Sequence, residues 1–214
     1  MHTQKYLRLL AEEFPNVKTA TGELVRLKTY MELPKPTEYY FSDLHGEDGA
    51  FIHLMRSGSG NIRTKVRDMY KNTLTEREQN QLANLIYDPQ KVLAIIQEKE
   101  QMDDEWIRFT ILRLSSLLRY VSAKQSRETV RDAMPERYAD VLNELLYSYH
   151  GEFERGEYSH RIVRAIIDAE AARAFIIVLC EMIQRLSENY VHIIGDVFDR
   201  GKAPHNIMEE LIDF

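Results

Sequence analysis

Cysteine is nearly missing from this chain: Cys180 stands alone among 214 residues. No internal disulfide can close, which excludes the stapled scaffold of a small secreted domain. Long apolar runs are missing as well. The longest, residues 174–180, is far too short for a bilayer and is bracketed by Arg173 and Glu181, so no membrane-spanning segment or membrane partner is expected. The opening residues lack the apolar core of a secretory signal, and a reducing cytoplasm is the expected home. Excess positive charge is also absent, the formal net charge being −6. A broad surface for nucleic acid is therefore excluded, and any phosphate site must be local, built from a few cations or a metal.

What is present suits a globular protein: 44% of residues are apolar, enough for one sizeable domain or for a smaller core with a large insertion. Tyr6, Leu9 and Leu10 recur at helical spacing until Pro15, which reads as a short packing helix. Pro34 and Pro36 make residues 31–37 an extended approach to Tyr39-Tyr40-Phe41-Ser42, an aromatic run of the kind a buried strand favours. After Gly46, Phe51, Leu54 and Met55 return to helical spacing until Ser57-Gly58-Ser59-Gly60 stops it.

From residue 62 to 188 the sequence is charged, poor in glycine and helical in period, with breaks at Pro89, Pro135 and residues 151–156. Thr75 and Glu78 form a capping box, and Asp88-Pro89 reads as a cap followed by a first-turn proline. Apolar stripes run through Ile107, Ile111, Leu114 and Leu118, and through Val141, Leu142 and Leu145. Residues 159–186 read as one long helix, with Ile162, Ile166, Ala169, Ala172, Ile176, Leu179 and Ile183 near one face. Val191-His192-Ile193-Ile194 reads as a second buried strand, and a last helix follows Pro204 with Ile207, Met208 and Leu211 inward. Both strands are expected to return to one sheet.

Two acidic loops follow these strands, Ser42-Asp43-Leu44-His45-Gly46 and Gly195-Asp196-Val197-Phe198-Asp199-Arg200-Gly201. In open sheets with parallel strands, ligands collect beyond the strand C-termini, so loops far apart in sequence can converge there. Asp43 and His45 can face one cation, and the two oxygens of Asp196 can bridge it to another. Mixed carboxylate and imidazole donors suit Mn²⁺, Fe or Zn²⁺ better than Ca²⁺, and Mn²⁺ is the first choice. Arg200 fits as a bidentate donor to a substrate phosphate.

Gly-Asp-x-x-Asp-Arg-Gly after an apolar strand, with Asp-x-His earlier, resembles the first two motifs of the calcineurin-like metallophosphatases. A nearer resemblance is to class III (Firmicutes-type) fructose-1,6-bisphosphatase. It is carried by residues 37–47, by Ile62-Arg63-Thr64-Lys65 and by residues 191–201. It covers essentially the whole chain, but only the N-terminal part of that larger family protein. The resemblance implies an α/β fold: the N-terminal part of a metallophosphatase-like β-sandwich core with a large α-helical insertion. Residues 1–61 would be the first part of the core, 62–188 the insertion and 189–214 the return to it.

It also implies a gluconeogenic hydrolase in which two Mn²⁺ ions assist hydrolysis of fructose 1,6-bisphosphate to fructose 6-phosphate and phosphate. Asp43, His45 and Asp196 would ligate metal, Arg200 would contact phosphate, and Asp199 would serve catalysis by orienting the family's histidine. That histidine lies in a Gly-Asn-His segment expected shortly after the last helix and not found up to Phe214. The later histidines of the second metal shell are not found either, so little activity is expected of the chain alone. The implied partner is a small phosphorylated sugar, and a homo-oligomer is compatible with it. Two other functions fit the residues: a phosphoprotein or nucleotide metallophosphatase, and a noncatalytic assembly or regulatory module.

The remaining polar candidates have plainer explanations. His192 alternates within a strand and reads as packed or hydrogen-bonded, and His205 as a first-turn helix residue. His53, His150 and His160 lack ligand spacing, and Glu47 and Asp48 are explained by a helix dipole. Trp106, Tyr120, Tyr138, Tyr147 and Tyr149 read as core, Cys180 as a buried inert thiol, and residues 127–137 as a solvated charged face.

Overall fold

A computed structural model describes residues 2–35, 37–147, 152–188 and 190–213. The chain divides into two compact units, residues 1–35 and 36–214. In the first, α1 (His2–Glu13) is the expected opening helix, and α2 (Val17–Met31) follows it. The α2 helix is nucleated by a reciprocal cap in which Asn16 accepts from the Thr19 amide at 3.0 Å. It runs to Met31, so the extended approach begins later than residue 31; Pro36 lies outside the described residues.

The second unit opens with β1 (Glu38–Phe41), then α3 (Asp48–Ser57), α4 (Asn61–Tyr70), α5 (Glu76–Tyr87) and α6 (Pro89–Glu98). It continues through α7 (Asp104–Ser122), α8 (Arg127–Asp132), a 3₁₀ turn (Glu136–Tyr138) and α9 (Ala139–Tyr147). The chain then forms α10 (Glu152–Asp168), α11 (Ala172–Leu186), β2 (Tyr190–Ile193) and α12 (Pro204–Asp213). Among the described residues no helix is long and apolar enough to cross a membrane. Tyr149 and His150 lie outside the described residues.

The capping signals read from the sequence are made. Thr75 caps α5 reciprocally with Glu78, and Asp88 accepts from the Lys91 amide ahead of Pro89. The single helix expected over residues 159–186 is instead two. Glu170 turns left-handed (φ 54°), the Ala171 amide reaches the Ile166 carbonyl, and the Glu170 amide reaches the Ile167 carbonyl. This closes α10 in a Schellman motif with glutamate where glycine is usual. The turn expected over residues 151–156 is also corrected, because α10 already begins at Glu152 and carries Gly156 inside it.

Two apolar cores result. The larger holds the α7 stripe of Ile111, Leu114, Leu117 and Leu118 against Phe175, Ile176, Leu179 and Ile183 of α11. Trp106, Tyr138 and Tyr147 pack against it half-buried, whereas Tyr120 stands half exposed. Within the charged segment 127–137, Val130 and Met134 turn inward and are buried. Arg119 extends from α7 to donate to the Leu145 carbonyl at 2.6 Å and the Leu146 carbonyl at 3.1 Å, satisfying the C-terminal end of α9.

The smaller core lies under the sheet, where Phe51 and Met55 of α3 and Ile207 of α12 meet Phe41, Val191 and Ile193. Phe41 meets Phe51 edge to face at 5.4 Å, and burying Phe51 contributes about 1.5–3 kcal/mol. Two strands alone are marginal, so α3 and α12 hold this sheet in place.

The β1 and β2 strands pair in parallel, Glu38 opposite Tyr190 and Phe41 opposite Ile193. The return of both strands to one sheet is thus met, and the protein is mostly helical with this small parallel sheet. The described residues contain no second sheet, so the β-sandwich implied by the family resemblance is not among them. On the outer face Tyr40 stacks on His192 at 4.5 Å, and His192 Nε2 bonds Glu38 at 3.2 Å. His192 is therefore the packed, hydrogen-bonded residue expected.

Where the helices meet the sheet, one polar group has no partner. Glu188 is 2% exposed, and neither carboxylate oxygen has a hydrogen-bond partner among the described residues. Burial pushes its carboxyl up to about 7. Half-buried Lys65 donates to the neighbouring Ser187 carbonyl at 2.9 Å. Burial, reinforced by Lys124, brings this ammonium down to about 8, against the opposing pull of Glu188.

Candidate metal centre

Parallel pairing puts both strand C-termini at the same edge, so the loops after Phe41 and Ile193 leave side by side. The Ile194 amide continues the ladder to the Phe41 carbonyl at 2.8 Å. Beyond it the loops lace together: the His45 amide donates to Asp196 at 2.9 Å, the Gly46 amide to Val197 at 2.8 Å, and the Gly201 amide back to His45 at 2.5 Å. Asp43, His45, Gly46 and Arg200 take left-handed conformations (φ 53°, 49°, 70° and 66°). Such conformations are costly for residues other than glycine and concentrate at functional sites. Close approach fixes the residue type at Gly201, where a Cβ would collide with the His45 carbonyl and the Gly46 backbone. At Gly195 a Cβ would lie 3.0 Å from the Asp43 carboxylate and closer still to its amide.

Three side chains converge at this junction. His45, Asp196 and Asp199 each present a ligand atom, all within 4.8 Å of one another, with His45 half-buried and the two carboxylates exposed. One imidazole and two carboxylates make a donor set that fits a divalent cation of the Mn²⁺, Fe or Zn²⁺ kind. His45 Nδ1 is hydrogen-bonded to Asp199 Oδ1, so with the proton on Nδ1 the Nε2 lone pair is left for a metal. The other Asp199 oxygen receives Arg200 Nε at 3.2 Å. The His45 bond, then the charges of His45 and Arg200, hold the Asp199 carboxyl below the usual carboxylate range.

Of the residues read from the sequence, His45 and Asp196 are thus brought together. Asp43 is not in the three-residue group; it sits two residues past the end of β1 at Phe41, with its carboxylate against Gly195. Arg200 projects into solvent, its side chain 77% exposed, at the rim beside Asp199. Asp199, expected to orient a downstream histidine, is hydrogen-bonded to His45. The legible signal was the Asp-x-x-Asp spacing, which lets two carboxylates of one loop return to one point. Asp48 is engaged elsewhere, accepting from Asn206 Nδ2 at 2.6 Å and so tying α12 to the start of α3. His205 lies in the first turn of α12, as expected.

A profile of the Firmicute fructose-1,6-bisphosphatase family matches residues 5–214. The chain is similar to the class 3 fructose-1,6-bisphosphatase of Finegoldia magna, at 42% identity over 99% of this chain and 33% of that protein. Those of Parabacteroides distasonis (98% of this chain, 32% of that protein) and Listeria innocua (98% and 32%) are each 41% identical to it. The chain therefore spans about a third of the length of the curated relatives it matches. No solved structure matches it.

Proposed function

The chain belongs to the Firmicute fructose-1,6-bisphosphatase family, and from that premise we propose that it carries the first metal-binding portion of a gluconeogenic, cytoplasmic enzyme. The reaction is hydrolysis of the 1-phosphate of fructose 1,6-bisphosphate to fructose 6-phosphate and inorganic phosphate. The observation that carries the reading is the meeting of His45, Asp196 and Asp199 where two parallel strands end. Mn²⁺ is the proposed ion. When bound, a divalent cation supplies Lewis-acid polarisation of phosphate oxygens and acidifies water.

The protein's own residues divide the remaining work. His45 offers Nε2, held in that orientation because Asp199 occupies Nδ1. Asp196 would hold metal through its carboxylate, and Asp43 would add a further carboxylate from the facing loop. Arg200 keeps its terminal guanidinium nitrogens for the substrate phosphate while Nε rests on Asp199. Residues 1–61 and 189–214 form the phosphatase core in this reading, and residues 62–188 are an insertion that carries the helices. One histidine and two aspartates make one metal shell and part of a second, so bisphosphatase turnover by this chain alone is expected to be low.

Calorimetric titration of the purified chain with Mn²⁺ tests the site. Saturable binding is expected, abolished by Asp196→Asn and weakened about 10–100-fold by Asp199→Asn; binding unchanged by Asp196→Asn overturns the assignment. With Mn²⁺ present, fructose 1,6-bisphosphate is expected to bind more tightly than a nucleotide or a phosphopeptide. The reverse order refutes the substrate.

A further inference from the structure

At the far end of α3 from the metal loops, the chain passes through three consecutive left-handed residues, Gly58, Ser59 and Gly60 (φ 53°, 47° and 84°). A Cβ on Gly60 would meet nothing within 4 Å, so its backbone conformation, not crowding, calls for glycine there. The reversal opens a cavity of about 500 Å³ between the end of α3, the start of α4 and the end of α5. Ten residues of α3 separate it from the metal loops, about 15 Å along the helix axis.

The lining is unlike the rest of an acidic chain. Arg56 and Arg63 both border the cavity, and no aspartate or glutamate does among the described residues. Neither arginine has an ion pair, hydrogen bond or ring contact with another described residue. Between them Gly60 caps α4 with no side chain, so the first-turn amides face the same space without a side-chain acceptor. Across the cavity His53 Nδ1 bonds the Tyr87 hydroxyl at 2.7 Å and the two rings meet at 5.2 Å. Leu54, Ile62 and Ala83 supply an apolar wall. None of these groups lies in the two loops that hold His45, Asp196 and Asp199.

We infer that this cavity binds an organic phosphate, its dianion held by the guanidinium forks of Arg56 and Arg63 and its body lying against the apolar wall and Tyr87. Two unpaired arginines match a doubly charged phosphate, whereas a carboxylate would satisfy only one. The volume lies within the range of small-molecule sites and leaves room for more than the anion. The site is separate from the metal loops and needs no metal, so its fate does not depend on the catalytic reading.

The test is calorimetry of the whole chain in EDTA, with phenyl phosphate, inorganic phosphate and phenol as probes. Phenyl phosphate is expected to bind saturably, inorganic phosphate more weakly, and phenol not at all. Arg56→Gln and Arg63→Gln are each expected to lower the affinity for phenyl phosphate roughly tenfold, and the double variant to abolish binding with unchanged circular dichroism. Asp196→Asn is expected to leave it untouched. Absence of saturable binding, survival of binding in the double arginine variant, or its loss in Asp196→Asn would each overturn the inference.

Discussion

Replacing Glu188 by glutamine removes a charge that the folded chain holds at a cost. Its carboxyl titrates near 7 in the folded protein against 4.5 for an unconstrained glutamate, because it is 2% exposed and unbonded among the described residues. Between those values the folded state keeps a proton the unfolded state has lost. Stability therefore falls as pH rises from 4.5 to 7 and is level above that, so far as this group is concerned. Integrating the linkage gives a penalty near 1 kcal/mol at pH 5 and near 3 at pH 7, a difference of about 2 kcal/mol. Glutamine keeps the cost of a buried polar group, roughly 1–3 kcal/mol, but that cost does not vary with pH. Urea unfolding followed by far-ultraviolet circular dichroism at both pH values is the assay. The stability of Glu188→Gln relative to the native sequence should rise by about 2 kcal/mol from pH 5 to pH 7. A relative stability that is flat across this window would refute the reasoning, since a carboxylate already solvated or paired carries no such slope.

Two further outcomes follow from the packing. Gly201→Ala should separate the two loops, because its Cβ would strike the His45 carbonyl and Gly46; Mn²⁺ affinity by calorimetry should fall roughly tenfold or more, and native affinity in this variant would contradict the close approach. Cys180 is fully buried in α11 and its thiol is pushed well above the ordinary range, so Ellman's reagent should leave it untouched in the native protein and titrate one thiol in denaturant.

The parts of the fold that were legible in the sequence are those with local chemistry. Thr75 with Glu78, and Asp88 with Pro89, mark helix starts because capping needs those side chains at those spacings, and both caps are formed. The break at Glu170 was hidden, because a Schellman turn normally announces itself by glycine and here a glutamate takes the left-handed position while the apolar period runs on through it. The α2 helix was missed because its cap, Asn16 with Thr19, opens a helix with no buried residue and so no apolar stripe to read. Within the site, strand-end position was enough to bring His45 and Asp196 together. Strand-end position alone does not say which further acid of the two loops joins them: Asp199 does, and Asp43, nearer its own strand, does not.

The parallel pairing of Glu38 with Tyr190 has a bearing on the order in which the molecule assembles. Bringing two strands together across so long a stretch of open chain carries a loop-closure entropy that grows as the logarithm of its length. The intervening helices reduce that cost by folding through nearer neighbours. The α3 helix, which leaves β1, packs on α11, which delivers β2, so once these two helices dock the strand ends are already adjacent. The helical segment is thus a splint for the two loops, which it brings side by side through the contact of α3 with α11. A lesion deep in the α7 and α11 interface, distant from every ligand, would then be felt first as weakened metal binding, before any loss of helix.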